Sequence, residues 1–254
     1  SQAIGKSKGY NLLMSEDVLA AIDSVKKLGI KVRIQKNYCE IAGNGINGFK
    51  YKKNLTIDAK NSGTLGRLIL GLLIKSPKKI KIIGDKSLSK RDFSRVTIPL
   101  EKFGVKFSYK IKNKLPLTIL GTQSAEGIKY LENKGSAQCK SSIMLAALNA
   151  SGTTSIKAKK SRNHSELLFK YLKIPIKVRK TKRFDFIDIK KPKKINAFNY
   201  QIPGDISSSA FFMALTTLAN DSKLLIKNVN INPSRVGVIT ILKKMGAQIS
   251  LKNQ

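Results

Sequence analysis

The chain has 254 residues, of which 41% are hydrophobic, enough to bury a core in one large domain or two modest ones. Its longest apolar runs, Leu68–Ile74 and Ile143–Leu148, are far shorter than the roughly 20 residues that a membrane-crossing helix needs. Two cysteines, Cys39 and Cys139, exclude a disulfide framework and are typical of a reducing compartment. We therefore expect a cytoplasmic protein that does not associate with a membrane.

The net charge of +34 comes from 49 lysines and arginines against 15 acidic residues, and such a field attracts nucleic acid. Only eight of the basic residues are arginine, and the lysines are scattered along nearly every segment. No basic arm and no run of alternating aromatic and basic residues is present in the sequence. Lysine is the poorer residue for bidentate recognition of bases, so we predict no specific nucleic-acid partner.

Taken in chain order, one series of amphipathic helices recurs four times, and each helix is followed by a lysine-rich strand. The helices begin at Glu16, Arg91, Ser165 and Ser234. Their closing turn residues are Gly29, Gly104, Pro175 and Gly246, at intervals of 75, 71 and 71. Three of the strands open predicted hairpins, which are Lys31–Ile41, Val105–Leu120 and Ile176–Ile189, with turns near Asn37, Asn113 and Lys182.

A second series of helices interleaves with the first and is apolar nearly all round, which predicts that its members are buried. These helices are NSGTLGRLILGLLI from Asn61, SAQCKSSIMLAALNA from Ser136 and DISSSAFFMALTTLA from Asp205. Each opens with residues that cap a helix N-terminus. Each is followed by a predicted strand, at Lys79–Ile83, Thr153–Ala158 and Lys223–Asn228.

The predicted repeat is therefore a buried helix, a strand, an exposed helix and a two-stranded hairpin, which indicates a fold built from copies. About three and a half copies are present. The chain begins just before an exposed helix and stops at residues 251–254 after one strand of a hairpin. Because an intact protein does not leave a strand edge open in this way, we expect a fragment that lacks both ends.

Two helix starts carry small polar residues close to cations. Asn61–Thr64 is followed by Arg67, and Gly135–Gln138 is followed by Lys140, while the loop 84–91 adds further lysines. Helix N-termini bind anions through unpaired N–H groups and a partial positive charge. From these residues alone, a pocket for anionic ligands and a set of ordinary caps remain alternative interpretations.

Seven segments resemble, in order and spacing, successive blocks of the shikimate enolpyruvyl transferase family. They are DAKNSGTLGRLILGLL, GDKSLSKRDFSRVTIPLEKFGV, LPLTILG, KGSAQCKSSIMLAALNASGTT, KSRNHSELL, IPGDISSSAFFMALTTLA and NPSRVGVITILKKMGAQI. The resemblance implies an α/β enolpyruvyl transferase fold, a two-domain inverse α/β barrel of βαβαββ units around buried parallel helices. It assigns residues 1–203 to the first domain and 204–254 to the beginning of the second.

The resemblance also implies an activity. The family transfers the enolpyruvyl group of phosphoenolpyruvate to the 5-hydroxyl of shikimate 3-phosphate by addition and elimination, in the biosynthesis of chorismate and the aromatic amino acids. It requires no metal or organic cofactor, and we expect the intact protein to be a monomer. The family's acid and base residues correspond to positions beyond Gln254. We therefore assign no catalytic residue here and expect this chain alone to be inactive.

Carried over by motif, two groups of binding residues follow from the resemblance. Those for shikimate 3-phosphate are Ser136, Ala137, Gln138, Ser161, Arg162 and His164. Those for phosphoenolpyruvate are Asn61, Gly63, Thr64, Arg91 and Gln138. Arg91 is expected to form a charge-assisted bond to the phosphate or carboxylate. The glycine at position 63 predicts a site of the glyphosate-sensitive type. For His164, contact with the substrate and a packing role remain alternative interpretations.

Two other classes of protein share some of these features. The UDP-N-acetylglucosamine enolpyruvyl transferases share the fold, but most carry a reactive cysteine in the loop that corresponds to residues 84–95, where this chain has none. The SAQ and SRNH segments also favour the shikimate branch. A basic RNA-binding protein would need aromatic platforms or an arginine-rich face, and 7% aromatic residues with no tryptophan offer little of either.

Overall fold

The computed structural model describes residues 1–36 and 38–252, and the chain divides into two compact units, Ser1–Tyr200 and Gln201–Gln254. The first unit contains three four-stranded sheets, and the second contains two helices. Within the described residues no helix combines the length and the apolar character that crossing a membrane demands.

The second sheet in chain order, called here sheet 2, is a complete copy of the predicted repeat. Its elements are β4 (Leu55–Asp58), α2 (Gly63–Leu72), β5 (Ile80–Ile83), α3 (Lys86–Lys90), α4 (Ser94–Glu101), β6 (Lys106–Tyr109) and β7 (Leu117–Leu120). The strand order is β4-β5-β7-β6, in which β4 and β5 are parallel and the other pairs antiparallel. The short α3 between β5 and α4 was not predicted.

Sheet 3 repeats this arrangement. It consists of β8 (Lys129–Glu132), α5 (Ala137–Ala147), β9 (Thr153–Lys159), α6 (His164–Tyr171), β10 (Ile176–Lys180) and β11 (Phe184–Lys190). The strand order β8-β9-β11-β10 again has one parallel pair at the β8 edge. The predicted βαβαββ repeat and the α/β fold class are confirmed.

Sheet 1 contains a strand that the sequence did not reveal. It is built from β1 (Ile4–Tyr10), α1 (Glu16–Lys27), β2 (Lys31–Ile34), β3 (Tyr38–Asn44) and β12 (Asn199–Gln201), in the order β12-β1-β3-β2. β1 escaped prediction because its sequence, IGKSKGY, has two glycines and no apolar run. The predicted hairpin turn at Asn37 lies outside the described residues.

The fourth strand of sheet 1 comes from the far end of the same unit. The Ile4 N–H donates to the Ile195 carbonyl at 2.8 Å, and the Lys8 N–H donates to the Phe198 carbonyl at 3.1 Å. Segment 195–201 therefore takes the place next to β1 that β4 takes next to β5 in sheet 2.

Helices α2 and α5 are buried, as predicted, and they pack directly against each other. The Ser142 hydroxyl donates to the Arg67 carbonyl at 3.0 Å. At Gly71 the two backbones come so close that an added Cβ would lie 2.2 Å from the Ser142 carbonyl oxygen. A glycine is therefore required at this position for the two helices to approach.

The second unit departs from the predicted pattern. It contains α7 (Ile206–Leu218) and α8 (Gly237–Lys244). The prediction that α7 is buried is wrong for this chain, because Phe211 is 80% and Leu218 is 83% exposed while Ile206 is buried. The strands predicted at Lys223–Asn228 and after Gly246 are also absent from the described residues. A strand needs a neighbour for its N–H and C=O groups, and in residues 202–252 only a single bridge, Gly204 to Val229, is formed.

Three of the predicted helix-ending turns have the expected left-handed backbone, with φ of +83° at Gly29, +92° at Gly104 and +98° at Gly246. In the remaining copy the left-handed residue is Lys173, with φ of +54°, rather than Pro175. Proline cannot adopt a positive φ, so the turn is completed two residues earlier and Pro175 follows it.

Candidate functional site

Both buried helices begin with a serine cap. The Ser62 hydroxyl accepts a hydrogen bond from the Leu65 N–H, and the Ser136 hydroxyl accepts one from the Cys139 N–H, each at 3.2 Å. A cap of this kind satisfies one of the four N–H groups that a helix start leaves without an intrahelical partner. The first turns of α2 and α5 therefore keep the partial positive charge that attracts anions.

One glutamine joins these two helix starts. Gln138, in the first turn of α5, accepts a hydrogen bond from Nη1 of Arg67 at 2.6 Å. Its amide nitrogen donates to Oγ1 of Thr64, in the first turn of α2, at 2.9 Å. The carbonyl and amide ends of Gln138 thus hold a cation and a hydroxyl of α2 in fixed positions beside α5.

Arg67 is buried, being 7% exposed, and it lies in a cluster of positive charge. Its Nη2 donates to the Asp92 carbonyl at 3.4 Å, and its guanidinium lies 5.3 Å from the centroid of the Phe93 ring. Burial lowers the pKa of the Arg67 guanidinium, and the charges of Arg95 and Arg91 lower it further, against an opposing effect of Asp92. The Nε atoms of Arg67 and Arg95 are buried without a hydrogen-bond partner in the described part of the chain.

Gly63 lies between two of these guanidinium groups. A Cβ added to it would lie 3.1 Å from Nη1 of Arg91 and 3.2 Å from Nη1 of Arg67. Arg91 is exposed and Arg67 is buried, so one exposed and one buried guanidinium lie beside the first residue of α2. Asn61 is exposed in the turn before the helix.

The acid closest in sequence to this cluster, Asp92, is engaged locally. Burial alone would raise the pKa of Asp92, but hydrogen bonds from Ser94 and the charges of Lys134 and Arg95 lower it. Across residues 1–36 and 38–252, none of Arg67, Arg91 and Arg95 forms a salt bridge. The cluster is therefore positively charged and lies at a helix N-terminus, which are the features of a candidate anion-binding site.

The second predicted group of residues lies where α5 and α6 begin. The loop before α5 approaches the loop before α6, because a Cβ added to Gly135 would lie 3.3 Å from the Lys160 carbonyl oxygen. The Ser161 hydroxyl is buried and has no hydrogen-bond partner among the described residues. Arg162 is exposed next to it, and His164 is half-buried as the first residue of α6.

Two side-chain contacts fix α5 against α6. The hydroxyls of Ser141 and Ser165 lie 2.6 Å apart. Lys140 Nζ and Glu166 Oε1 also lie 2.6 Å apart, as an ion pair in which the side chains are 0% and 4% exposed. The pair connects the first turns of the two helices and so places the loop 161–163 beside the start of α5.

The structure brings several predicted residues together and adds others. Around the start of α2 the structure brings together Gly63, Thr64, Arg91 and Gln138. The start of α5, formed by Ser136 and Ala137, lies near the loop 160–162. Asn61 is at the surface, two residues before Gly63. Sequence reasoning noted Arg67 as a cation beside the α2 start but did not assign it to a substrate, and it did not single out Arg95. Arg67 follows Gly63 by one turn of α2, and that spacing would have indicated it, whereas Arg95 lies in α4 and Arg91 lies in the extended segment before that helix.

Comparison with known proteins gives matches over nearly the whole chain. The model of the EPSP synthase (3-phosphoshikimate 1-carboxyvinyltransferase) family matches residues 2–254. A 3-phosphoshikimate 1-carboxyvinyltransferase of Ruthia magnifica is 41% identical over 256 residues, covering 100% of this chain and 57% of its own length. The enzyme of the same name from Streptococcus pyogenes serotype M2 is 38% identical over 253 residues, covering 99% of this chain and 58% of its own.

The similarity extends to solved structures. A structure of EPSP synthase from Acinetobacter baumannii superimposes with a TM-score of 0.87 at 33% identity, covering 100% of this chain and 56% of that one. The repeated βαβαββ units and this structural similarity show that the chain has the enolpyruvyl transferase fold. Within that class it belongs to the EPSP synthase family, and it spans a little more than half the length of the relatives it matches.

Proposed function

We propose that this chain forms the substrate-binding part of a 3-phosphoshikimate 1-carboxyvinyltransferase, with phosphoenolpyruvate held beside Gly63. The observation that carries the proposal is the cluster of Arg67, Arg91 and Arg95, which has no salt-bridge partner in the described residues. Like charges held close together repel one another, and a bound anion removes that repulsion. Phosphoenolpyruvate carries a phosphate and a carboxylate, and so offers the charges that a group of three guanidinium ions requires.

Shikimate 3-phosphate is assigned to the starts of α5 and α6. Ser161 contributes a buried hydroxyl without a partner among the described residues, and Arg162 contributes an exposed guanidinium, so these two side chains suit a phosphate. Ser136, Ala137 and His164 border the same loops and would contact the ring. Gln138 reaches from this group to Thr64 and Arg67, which would place the two substrates next to each other.

The proposed reaction is an addition followed by an elimination. The 5-hydroxyl of shikimate 3-phosphate adds to protonated phosphoenolpyruvate to form a tetrahedral ketal, and the ketal then loses phosphate. The arginine cluster would stabilise the negative charge on the departing phosphate. The residues named here would bind and orient the two substrates for this reaction.

We also propose a domain boundary near Pro203, a cytoplasmic location and a monomeric intact protein. The division of the chain into compact units at Tyr200 and Gln201 supports the boundary. Two buried free cysteines, Cys39 and Cys139, fit a reducing compartment.

The proposal is tested by titration calorimetry of the chain with phosphoenolpyruvate in the presence of shikimate 3-phosphate. Arg67→Gln is expected to weaken phosphoenolpyruvate binding by about 30-fold, since a hydrogen bond to a charged group contributes about 2 kcal/mol. Lys86→Gln, which removes one exposed charge from α3, is the matched control and should change the affinity less than about 2-fold. Equal affinities for the parent and Arg67→Gln would overturn the assignment.

Gly63→Ala provides a second prediction. Its Cβ would come within 3.1 Å of Arg91 and 3.2 Å of Arg67, and both contacts are with ends of flexible side chains, so the fold should be retained. The space beside the helix start becomes smaller, and we expect glyphosate affinity to fall by at least about 10-fold with a smaller loss for phosphoenolpyruvate. Gly66→Ala, one turn further along α2 with its closest contact at 3.4 Å, is the control. An unchanged glyphosate affinity in Gly63→Ala would contradict the prediction.

A further inference from the structure

The outer face of sheet 3 carries a row of four side chains, one from each strand. Leu131 in β8 is in register with Lys157 in β9, Lys157 with Phe186 in β11, and Phe186 with Arg179 in β10. The neighbouring residues Ile156 and Ile187 point the other way and are buried in the core. Because side chains alternate across a strand, the row faces away from the core.

Cations lie over the aromatic rings of this face. The Arg179 guanidinium is 4.1 Å from the centroid of the Phe186 ring, and Lys157 Nζ is 5.8 Å from it. Lys157 Nζ is also 4.8 Å from the ring of Phe184, which is in register with Lys159. Two phenyl rings of β11 on this face thus lie beside cations from the two neighbouring strands, β9 and β10.

The next row along the same strands completes a shallow cavity. Lys129, Ser155, Asp188 and Lys177 are in register, and the Asp188 carboxylate accepts a hydrogen bond from the Ser155 hydroxyl at 2.6 Å. Together the two rows line a cavity of about 690 Å³. One carboxylate and four cations among these eight side chains give the cavity a net positive charge.

The internal repeat offers a comparison for the central row. In sheet 2 the corresponding row is Lys81, Thr118 and Ser108, and in sheet 1 it is Lys8, Glu40 and Arg33. The position of Phe186 is thus held by a hydroxyl in sheet 2 and by a carboxylate in sheet 1. A ring between two cations distinguishes sheet 3 from its copies, although all three share one backbone plan.

We propose that the outer face of sheet 3 binds single-stranded nucleic acid without base specificity. Bases stack on phenyl rings and on guanidinium planes, and lysines contact the phosphates between them. A polyanion without bases would use the cations alone and would give the rings no role. The sequence predicted no such surface because its members lie on four strands between residues 129 and 188, and it forms only when these strands pair.

The test is fluorescence anisotropy of a labelled 12-nucleotide oligouridylate with the full chain, alongside inorganic polyphosphate of similar charge. Phe186→Thr copies the sheet 2 row and keeps the net charge. It is expected to weaken oligouridylate binding by about 10-fold, in line with the stacking contribution of one base, and to leave polyphosphate binding unchanged. Phe186→Leu keeps the apolar volume and should give the same loss, so the result does not depend on one variant folding well.

Two lysine variants that lose the same charge distinguish binding at this surface from attraction by the overall positive charge of the chain. Lys157→Gln and Lys81→Gln each remove one lysine from the same position of two sheets. Lys157→Gln should reduce the slope of log affinity against log salt by about 1, whereas Lys81→Gln should leave it unchanged. Oligouridylate binding that is unaffected by both Phe186 variants, or slopes that change equally in the two lysine variants, would overturn the proposal.

Discussion

Lys140→Met is expected to lower the free energy of unfolding by about 4 kcal/mol, because it leaves the Glu166 carboxylate buried without its cation. The two side chains are 0% and 4% exposed, and their charged atoms lie 2.6 Å apart. Among the described residues, no group other than its partner in this ion pair is within hydrogen-bonding reach of either charged end. Urea denaturation followed by circular dichroism measures the loss.

The control for this prediction replaces the whole pair. Lys140→Met combined with Glu166→Leu fills the same space with apolar groups, so the double variant should regain most of the lost stability or exceed the parent. If Lys140→Met and the double variant were equally destabilised, packing around the lysine stem would be the cause, and the electrostatic explanation would be wrong.

Gly71→Ala is expected to be the other large effect, with a loss of about 3 kcal/mol, at the upper end for an overpacked core. Helix propensity alone would favour alanine by up to about 1 kcal/mol at this position, the penultimate residue of α2. The added Cβ would meet the Ser142 carbonyl oxygen at 2.2 Å and the carbonyl carbon at 3.0 Å, and backbone atoms cannot rotate away. The two helices would have to separate, which opens the contact that holds sheets 2 and 3 around one core.

Gly66→Ala, in the same helix, is the matched comparison. Its Cβ would lie 3.4 Å from the Phe93 ring and 3.5 Å from Ala59, which are ordinary contact distances. We expect its thermal midpoint to lie within a few degrees of the parent, and that of Gly71→Ala to lie well below both. A Gly71→Ala protein as stable as Gly66→Ala would show that α2 and α5 tolerate a wider spacing.

The elements that could be predicted from sequence are those whose burial is decided locally. The period of about 71–75 residues, the apolar helices α2 and α5 and the three hairpins all follow from side-chain pattern and turn residues. β1 could not be predicted, because its place in the sheet depends on hydrogen bonds with β3 and with residues 195–198. The burial of α7 was predicted wrongly, because an apolar sequence shows that a helix favours an apolar neighbour but not that one is present.

The candidate site, like the fold, could be predicted from the sequence only in part. Helix starts rich in small polar residues pointed to anions, and the family resemblance supplied Gly63, Thr64, Arg91 and Gln138. The contact of Gln138 with Arg67 spans 71 positions, which is about one period of the repeat, so it depends on how two copies pack. The row through Phe186 could not be foreseen for the same reason, because registry between strands is a property of the folded sheet.

The position of segment 195–201 beside β1 has a consequence for biosynthesis. The Phe198 N–H donates to the Ser7 hydroxyl across 191 positions of sequence, so sheet 1 cannot be completed until nearly the whole first unit has left the ribosome. At a synthesis rate of about 5–20 residues per second, one edge of β1 stays unpaired for roughly 10–40 s after β1 has been made. This strand carries lysines at positions 6 and 8 and glycines at positions 5 and 9. Such residues make an unpaired edge a poor template for another chain, which protects the nascent protein from aggregation.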